Sequence, residues 1–315
     1  MNEETNITIS PDYPPLITEE VRESQTDTEN TDIITTEDEI LTQINNYSNT
    51  SSESQQEDST MNNEEKVYPE IPLNSDSLLI DNTTARFSDA VWYNKVQQCK
   101  ITLAGVGGIG SWCALLLSRM KPAMLTMYDP DIVETVNMSG QLYRQQDVGV
   151  LKSDAISKTL RDYSCYFSTL SIPERFTSES EPSDIMICGF DNMLARKTFF
   201  SSWCRHINSK TEEEKKDCLF IDGRLEAESL QILCIRGDDD YNIHKYKKDF
   251  LFSDEEADET ICSYKQTTFM ATMIGSLIVN LFVNFVANMC NPIVDRDLPF
   301  YTEYSAETMY FKTII

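Results

Sequence analysis

Lys100-Ile-Thr-Leu-Ala-Gly-Val-Gly-Gly-Ile-Gly-Ser-Trp-Cys-Ala-Leu-Leu-Leu-Ser-Arg119 decides the fold of this chain. It opens with an apolar run ending at Ala104, long enough for one buried strand. Gly105, Gly107, Gly108 and Gly110 follow, and Ile109, Cys113, Leu116, Leu117 and Met120 then recur at helical spacing. The order is strand, glycine turn, helix. Glycines there permit a tight turn and let a phosphate approach the unpaired N–H groups of the helix start. Met124-Leu-Thr-Met-Tyr128 reads as a second strand and runs into Asp129. An acid about twenty residues beyond such glycines is placed to grip a ribose hydroxyl. A glycine turn alone is also an ordinary turn; strand, helix and acid together point to a nucleotide.

Outward from this unit, composition sets limits. The 315 residues carry a formal charge of −26, which argues against general affinity for nucleic acid or anionic membrane. The charge is uneven. Residues 1–80 hold 19 Asp and Glu against Arg22 and Lys66, a net of −17, and are rich in Thr, Ser, Asn and Gln. Such a segment buries too little to offset its ordering entropy and is expected to be a disordered acidic tail. Residues 81–315 are expected to form one α/β domain. The N-terminus is acidic and lacks the apolar core of a signal peptide. Nine cysteines without a CxxC pair, several inside apolar strands, suit reduced thiols in a cytoplasm and omit the structural-zinc pattern.

Further along, Asp129-Pro-Asp131-Ile-Val-Glu134 and Asn137 precede Gln141-Leu-Tyr-Arg144 and Asp147-Val-Gly-Val-Leu-Lys152. A helix is expected over about 151–162, an extended segment over 166–172, and a buried strand at Asp184-Ile-Met-Ile-Cys188, which closes on Gly189-Phe190-Asp191-Asn192. The next helix carries Arg196, Phe199, Phe200 and Trp203. Two neighbouring strands follow, at Leu219–Arg224 and Glu228–Ile235, and then an acidic, irregular crossover loop over 237–262. From Gln266 to Val294 no residue is charged. That length could span a bilayer. Thr268, Thr272, Ser276, Asn280, Asn284 and Asn288 keep a polar edge along it, however, which suits a buried helix or a subunit interface. Leu298–Phe311 reads as a terminal strand or hairpin.

In Gly105–Gly110, Asp129–Glu134, Asn137 with Gln141, Asp147–Lys152 and Asp191-Asn-Met-Leu-Ala-Arg196, the chain resembles the ubiquitin-activating-enzyme-like adenylyltransferases, the ThiF/MoeB class. The resemblance runs from Arg86 to about Phe311. It implies a Rossmann-like, largely parallel sheet flanked by helices and extended by further strands. It also implies ATP with Mg²⁺ as cofactors, and adenylation of the C-terminal carboxylate of a small ubiquitin-like or sulfur-carrier protein. By resemblance the amides around Gly105, Gly107, Gly108 and Gly110 lie near the nucleotide, with Asn137 in the same site and Asp129 on the ribose. Lys152 holds phosphates, and Asp191 holds Mg²⁺. Arg86 looks like the arginine that one protomer of a homodimer lends to the other, and Cys262 occupies the region of a thioester-forming cysteine. The chemistry is coherent: a carboxylate is already nucleophilic at pH 7, so the work is charge neutralisation and in-line placement.

Simpler roles stand beside these. Lys152 also suits a solvated helix start, Asp191-Asn192 also cap the next helix, and Cys262 also suits a packed position. One departure from the family pattern is Gly140, where the family carries an arginine immediately before Gln141; Arg144 is the substitute within reach in sequence. That loss favours a second reading, a catalytically impaired binding partner. A third reading, an NAD-dependent oxidoreductase, has the same turn. It has only His206 and His244 as histidines, and neither lies in a recognisable catalytic setting.

Overall fold

The computed structural model describes residues 82–252, 266–290 and 295–315. The expected tail and Cys262 lie outside the described residues. Five strands run parallel: β1 (Lys100–Ala104), β2 (Met124–Tyr128), β3 (Thr169–Ile172), β4 (Ile185–Cys188) and β5 (Leu219–Glu226). Antiparallel β6 (Ser229–Arg236), β7 (Tyr301–Ser305) and β8 (Tyr310–Ile314) extend them. The sheet order is β3-β2-β1-β4-β5-β6-β7-β8.

Helices cover both faces of this sheet, and the strand composition follows from that. One core gathers residues of α2 (Gly108–Met120), α3 (Lys152–Ser164) and α7 (Thr268–Cys290); the other gathers α4 (Met193–Asn208) and α6 (Asp240–Asp249). Two one-turn helices, α1 (Tyr93–Val96) and α5 (Glu212–Lys215), complete the α-helices among the described residues, beside three short 3-10 turns. Side chains alternate between the cores with the strand period of two. Ile185 and Ile187 of β4 face the first, Met186 and Cys188 the second. A strand buried on both sides is expected to be apolar at successive positions, as Ile185–Cys188 of β4 and Leu219-Phe-Ile221 of β5 are, and the buried Asp222 that follows is the exception.

The expected strand ends and the 151–162 helix lie within a few residues of β1, β2, β4, β5, β6 and α3. The uncharged stretch forms α7, the one helix among the described residues long and apolar enough to cross a membrane. Here it is a core helix. Ile274, Ile278, Phe282 and Phe285 are buried under the sheet, while Thr268, Ser276 and Asn280 of the polar edge are exposed. Most of its apolar residues are therefore taken up by this chain's own core, and Phe269 near its start is the large apolar side chain it leaves exposed.

The crossover region is a correction. Residues 240–249 are not irregular but form α6, capped by Asp239, whose carboxylate accepts from the Asn242 amide at 3.0 Å. Tyr246 is fully buried against Phe200 and Phe220, and this single anchored ring makes an otherwise charged segment helical. The terminal segment is a hairpin, β7–β8, whose outer strand exposes all five residues.

Candidate active site

The sheet order reverses at β1: β2 and β3 lie to one side, β4 and β5 to the other. Ligands of open α/β sheets bind at the carboxyl ends of the strands at such a reversal. The glycine turn lies there. Gly105 has φ +82°, and a Cβ on it would stand 2.8 Å from the Gly189 carbonyl oxygen, because Gly189 N–H donates to Ala104 O at 2.9 Å and draws the end of β4 against β1. The turn delivers the chain into α2, whose first amides face the crevice.

Asp129, at the end of β2, is 6 % exposed. Its Oδ2 accepts from the Val106 amide at 2.8 Å and its Oδ1 from the Asp131 amide at 3.0 Å. Burial pushes the Asp129 carboxyl above the usual range, against the pull of those amides and of Lys152. The carboxylate thus fixes the glycine turn, and the residues that follow it, Pro130 and Asp131, line an open cleft of about 870 Å³, whereas Asp129 itself does not. Lys152, Asp191, Asn137 and Gln141 all line that cleft. Lys152 opens α3, is largely buried, and places Nζ 3.0 Å from Asp131 Oδ2. Asp191 is exposed, its Oδ1 accepting from Asn192 Nδ2 at 3.2 Å; Asn192 caps α4 by accepting from the Ala195 amide at 2.9 Å. Asn137 Oδ1 accepts from the Glu134 amide at 2.8 Å. Gln141 Oε1 is buried with no hydrogen-bond partner among the described residues.

The wall between Ser139 and Tyr143 is stapled to its surroundings. Tyr143 donates to Val106 O at 2.6 Å, Leu142 N–H donates to Ser111 Oγ at 3.0 Å, and Trp112 Nε1 donates to Gly140 O at 3.0 Å. Thr268 Oγ1 of α7 donates to Ser139 O at 2.5 Å. The cleft wall is therefore held by the turn, by α2 and by α7 together.

The other candidates sit elsewhere. Arg144 does not line the cleft: its guanidinium donates to Asp147 at 3.0 and 3.1 Å and to Asp162 at 3.3 Å, where it caps the turn before α3. Arg86 is exposed in the turn after residues 82–84, also outside the cleft lining. Lys152 is therefore the one cation lining the cleft among the described residues, beside the acids Asp131, Glu134 and Asp191. Asp191, exposed and paired with no cation among the described residues, fits Mg²⁺ beside the cleft's other acids, since that ion takes one or two protein carboxylates and completes its shell with water and phosphate oxygens.

Several residues carry weight that the sequence did not announce. Asp131 pairs with Lys152, and Gln266 enters the cleft from the start of α7. Behind Asp191 lies a buried cluster. Asp222, fully buried, accepts from Arg196, from Arg224 Nε at 2.9 Å and from the Tyr246 hydroxyl at 2.9 Å. Arg196 also donates to the Phe190 carbonyl, which fixes the loop that presents Asp191. Burial and the Asp222 charge push Tyr246 well above its usual range.

The sequence pattern of the ThiF family matches residues 81–314. The chain belongs to the ThiF family. Among curated ThiF-related proteins, it is 36% identical over 70 residues to ubiquitin-like modifier-activating enzyme 5 of Arabidopsis thaliana, a match covering 22% of this chain and 16% of that protein. The similarity therefore spans about a sixth of the relative's length. Crystal structures share the fold. PaaA superposes with a TM-score of 0.53 at 18% identity, covering 70% of this chain and 65% of that one. Escherichia coli MccB with AMPCPP and MccA gives 0.51 at 12%, covering 71% and 65%. At these identities the solved structures and this ThiF chain share a fold.

Proposed function

We propose that the protein adenylates a carboxylate with ATP, most simply the C-terminus of a small ubiquitin-like or sulfur-carrier protein. One observation carries the reading: near the sheet reversal Lys152 and Asp191 line one cleft with Gln141 and Gln266, whose carboxamides lie over Gly107 and Gly108 of the glycine turn that Asp129 holds through the Val106 amide. The naming of the plant relative as an activating enzyme, and the presence of AMPCPP and MccA in the MccB crystal, support a nucleotide and a small partner.

The reaction joins a carboxylate oxygen to the α-phosphorus and breaks its bond to the bridging oxygen of pyrophosphate, leaving an acyl adenylate. Asp129 holds the ribose hydroxyls with acceptor capacity left beyond its two amide bonds. The first amides of α2 and Lys152 receive phosphate charge, and Asp191 holds Mg²⁺, which when bound neutralises the leaving group. A cleft this acidic admits ATP as its Mg²⁺ complex. Arg86 acts across a homodimer, from one copy to the other, and the Cys262 thiolate attacks the acyl carbon of the adenylate, forming a thioester as the acyl–phosphate bond breaks and AMP leaves. Eight free cysteines among the described residues accord with a cytoplasmic setting.

ATP–pyrophosphate exchange with a candidate partner protein tests the proposal; exchange absent with every carboxylate offered, despite ATP binding, would sink it. Gly140 and the engagement of Arg144 favour a second reading, a nucleotide-binding partner without turnover. The same assay decides it: binding without exchange is its signature. The oxidoreductase alternative has no support in this cleft, since His206 bonds Asp184 at 2.7 Å before the start of β4.

A further inference from the structure

Two consecutive glycines of the turn are each covered by a carboxamide. Gln141 lies over Gly107 in loose contact: a Cβ added there would sit 3.8 Å from Nε2. Gln266 lies over Gly108 far more closely. A Cβ on Gly108 would stand 2.0 Å from Gln266 Oε1, and a Cβ on Gly140 would stand 2.8 Å from its Nε2 and 3.1 Å from its Cγ. The Gln266 side chain is therefore wedged between the first residue of α2 and Gly140, in space that any side chain at position 140 would take. Its backbone is held as well. Residue 266 bridges to Ala227, which sits at φ +46°, and α7 begins two residues on with the Thr268 bond to Ser139 O. Gln266 thus reaches the start of α2 from a fixed base, within the cleft that also holds Lys152 and Asp191.

We infer that Gln266 is a nucleotide-contacting residue, donating from its carboxamide N–H groups to phosphate oxygens seated at the start of α2, and that Gly140 is small because Gln266 occupies its side-chain space. The inference rests on the ATP reading above. Its physical basis is a shortage of donors. Lys152 shares its charge with Asp131, and Arg144 is engaged elsewhere. Two N–H groups at the α2 start supply hydrogen bonds to charged oxygens, which are stronger than neutral ones, without a further buried charge. A carboxamide that turns by about half a revolution exchanges its oxygen for its nitrogen at the Gly108 contact. The same side chain can then present either its oxygen or its nitrogen to the turn.

The test is calorimetric titration of the full chain with Mg·ATP and with adenosine, in wild type, Gln266→Ala, Gln266→Glu, Gly140→Ala and the Gly140→Ala/Gln266→Ala double variant. For Gln266→Ala we expect about tenfold weaker ATP binding with adenosine unchanged. Gln266→Glu, which keeps the shape but replaces the donors by charge, is expected to be weaker still. Gly140→Ala pushes the carboxamide aside, so it should match Gln266→Ala and add nothing in the double variant. Tighter ATP binding in Gln266→Ala would show that the side chain is only a plug and overturn the inference. Unchanged binding in Gln266→Ala and Gln266→Glu would overturn it too, as would equal losses for ATP and adenosine. If wild type itself shows no preference for ATP over adenosine, the adenylation reading falls and takes this inference with it. A wild-type preference that survives every variant removes the role of Gln266 alone.

Discussion

Two aspartates reach the candidate site from neighbouring strand ends, and they are built in opposite ways. Asp129, after β2, is buried, and each of its oxygens already accepts a backbone amide. Asp191, after β4, stands in water with one neighbouring amide group from Asn192. The first is fixed before any ligand arrives and shapes the turn it belongs to. The second keeps nearly all its acceptor capacity, and only its loop is fixed, through Arg196 and the buried Asp222 behind it. Removing either carboxylate should therefore hurt in different currencies: architecture and affinity on the β2 side, turnover on the β4 side.

The largest effect is expected where that support is buried. Asp222→Ala leaves two guanidinium groups without their carboxylate, and unfolding in denaturant should show a loss of about 4 kcal/mol. A loss under about 1 kcal/mol would mean that solvent reaches the cluster and the contrast with Asp191 is weaker than drawn. Next comes Asp129→Ala. Two buried amides lose their acceptor, so stability should fall by about 3 kcal/mol, and ATP binding should drop below detection. Intact affinity would mean the ribose site has been misplaced. Asp191→Ala should leave stability within about 0.5 kcal/mol while slowing ATP–pyrophosphate exchange on the order of a hundredfold. Equal losses of stability and exchange would erase the distinction between the two aspartates.

The smallest effect is the sharpest check on what belongs to the site. Arg144→Ala is expected to cost about 1 kcal/mol at pH 7 and to leave exchange within about twofold, because its partners are Asp147 and Asp162 rather than the cleft. Burial alone would raise the Asp147 carboxyl, but bonds from the Arg144 side chain and backbone outweigh it and hold the group below its ordinary value. A depressed carboxyl stabilises the fold above its unfolded value of about 4 and loses that contribution as pH falls through the folded value. The difference between wild type and Arg144→Ala should accordingly shrink in acid below about pH 4, as read by thermal unfolding across pH.

What could be read in the sequence was what is local. The glycine turn, β1, β2 and Asp129 lie within thirty residues, and their spacing carries the geometry with it. Asp191 was legible for the same reason, since a buried strand and a capping pair stand on either side of it. The charged segment over 240–249 misled because its buried anchor is one ring, Tyr246, whose partners Phe200 and Phe220 are distant in the chain. Gln266 was invisible for a similar reason. As a residue it is an unremarkable start to an uncharged stretch, and only the return of α7 to the β1 end of the sheet sets it on Gly108. Arg144 shows the reverse error. It lay at the right distance along the chain, but Asp147 and Asp162 had a prior claim on it.

The bond from Trp112 to Gly140 gives the molecule a built-in optical reporter. The indole N–H of Trp112 donates to a carbonyl on the cleft wall. Trp203 is a buried residue of α4, its own N–H bonded to Asp184 O, and Trp92 stacks with Phe87 before β1. Displacement of the wall at Gly140 changes the polarity felt by one indole and leaves the other two as they were. With Trp92 and Trp203 replaced by phenylalanine, the emission of the remaining tryptophan during titration with Mg·ATP reads directly whether filling the cleft disturbs that bond, with no label attached to the partner or the nucleotide.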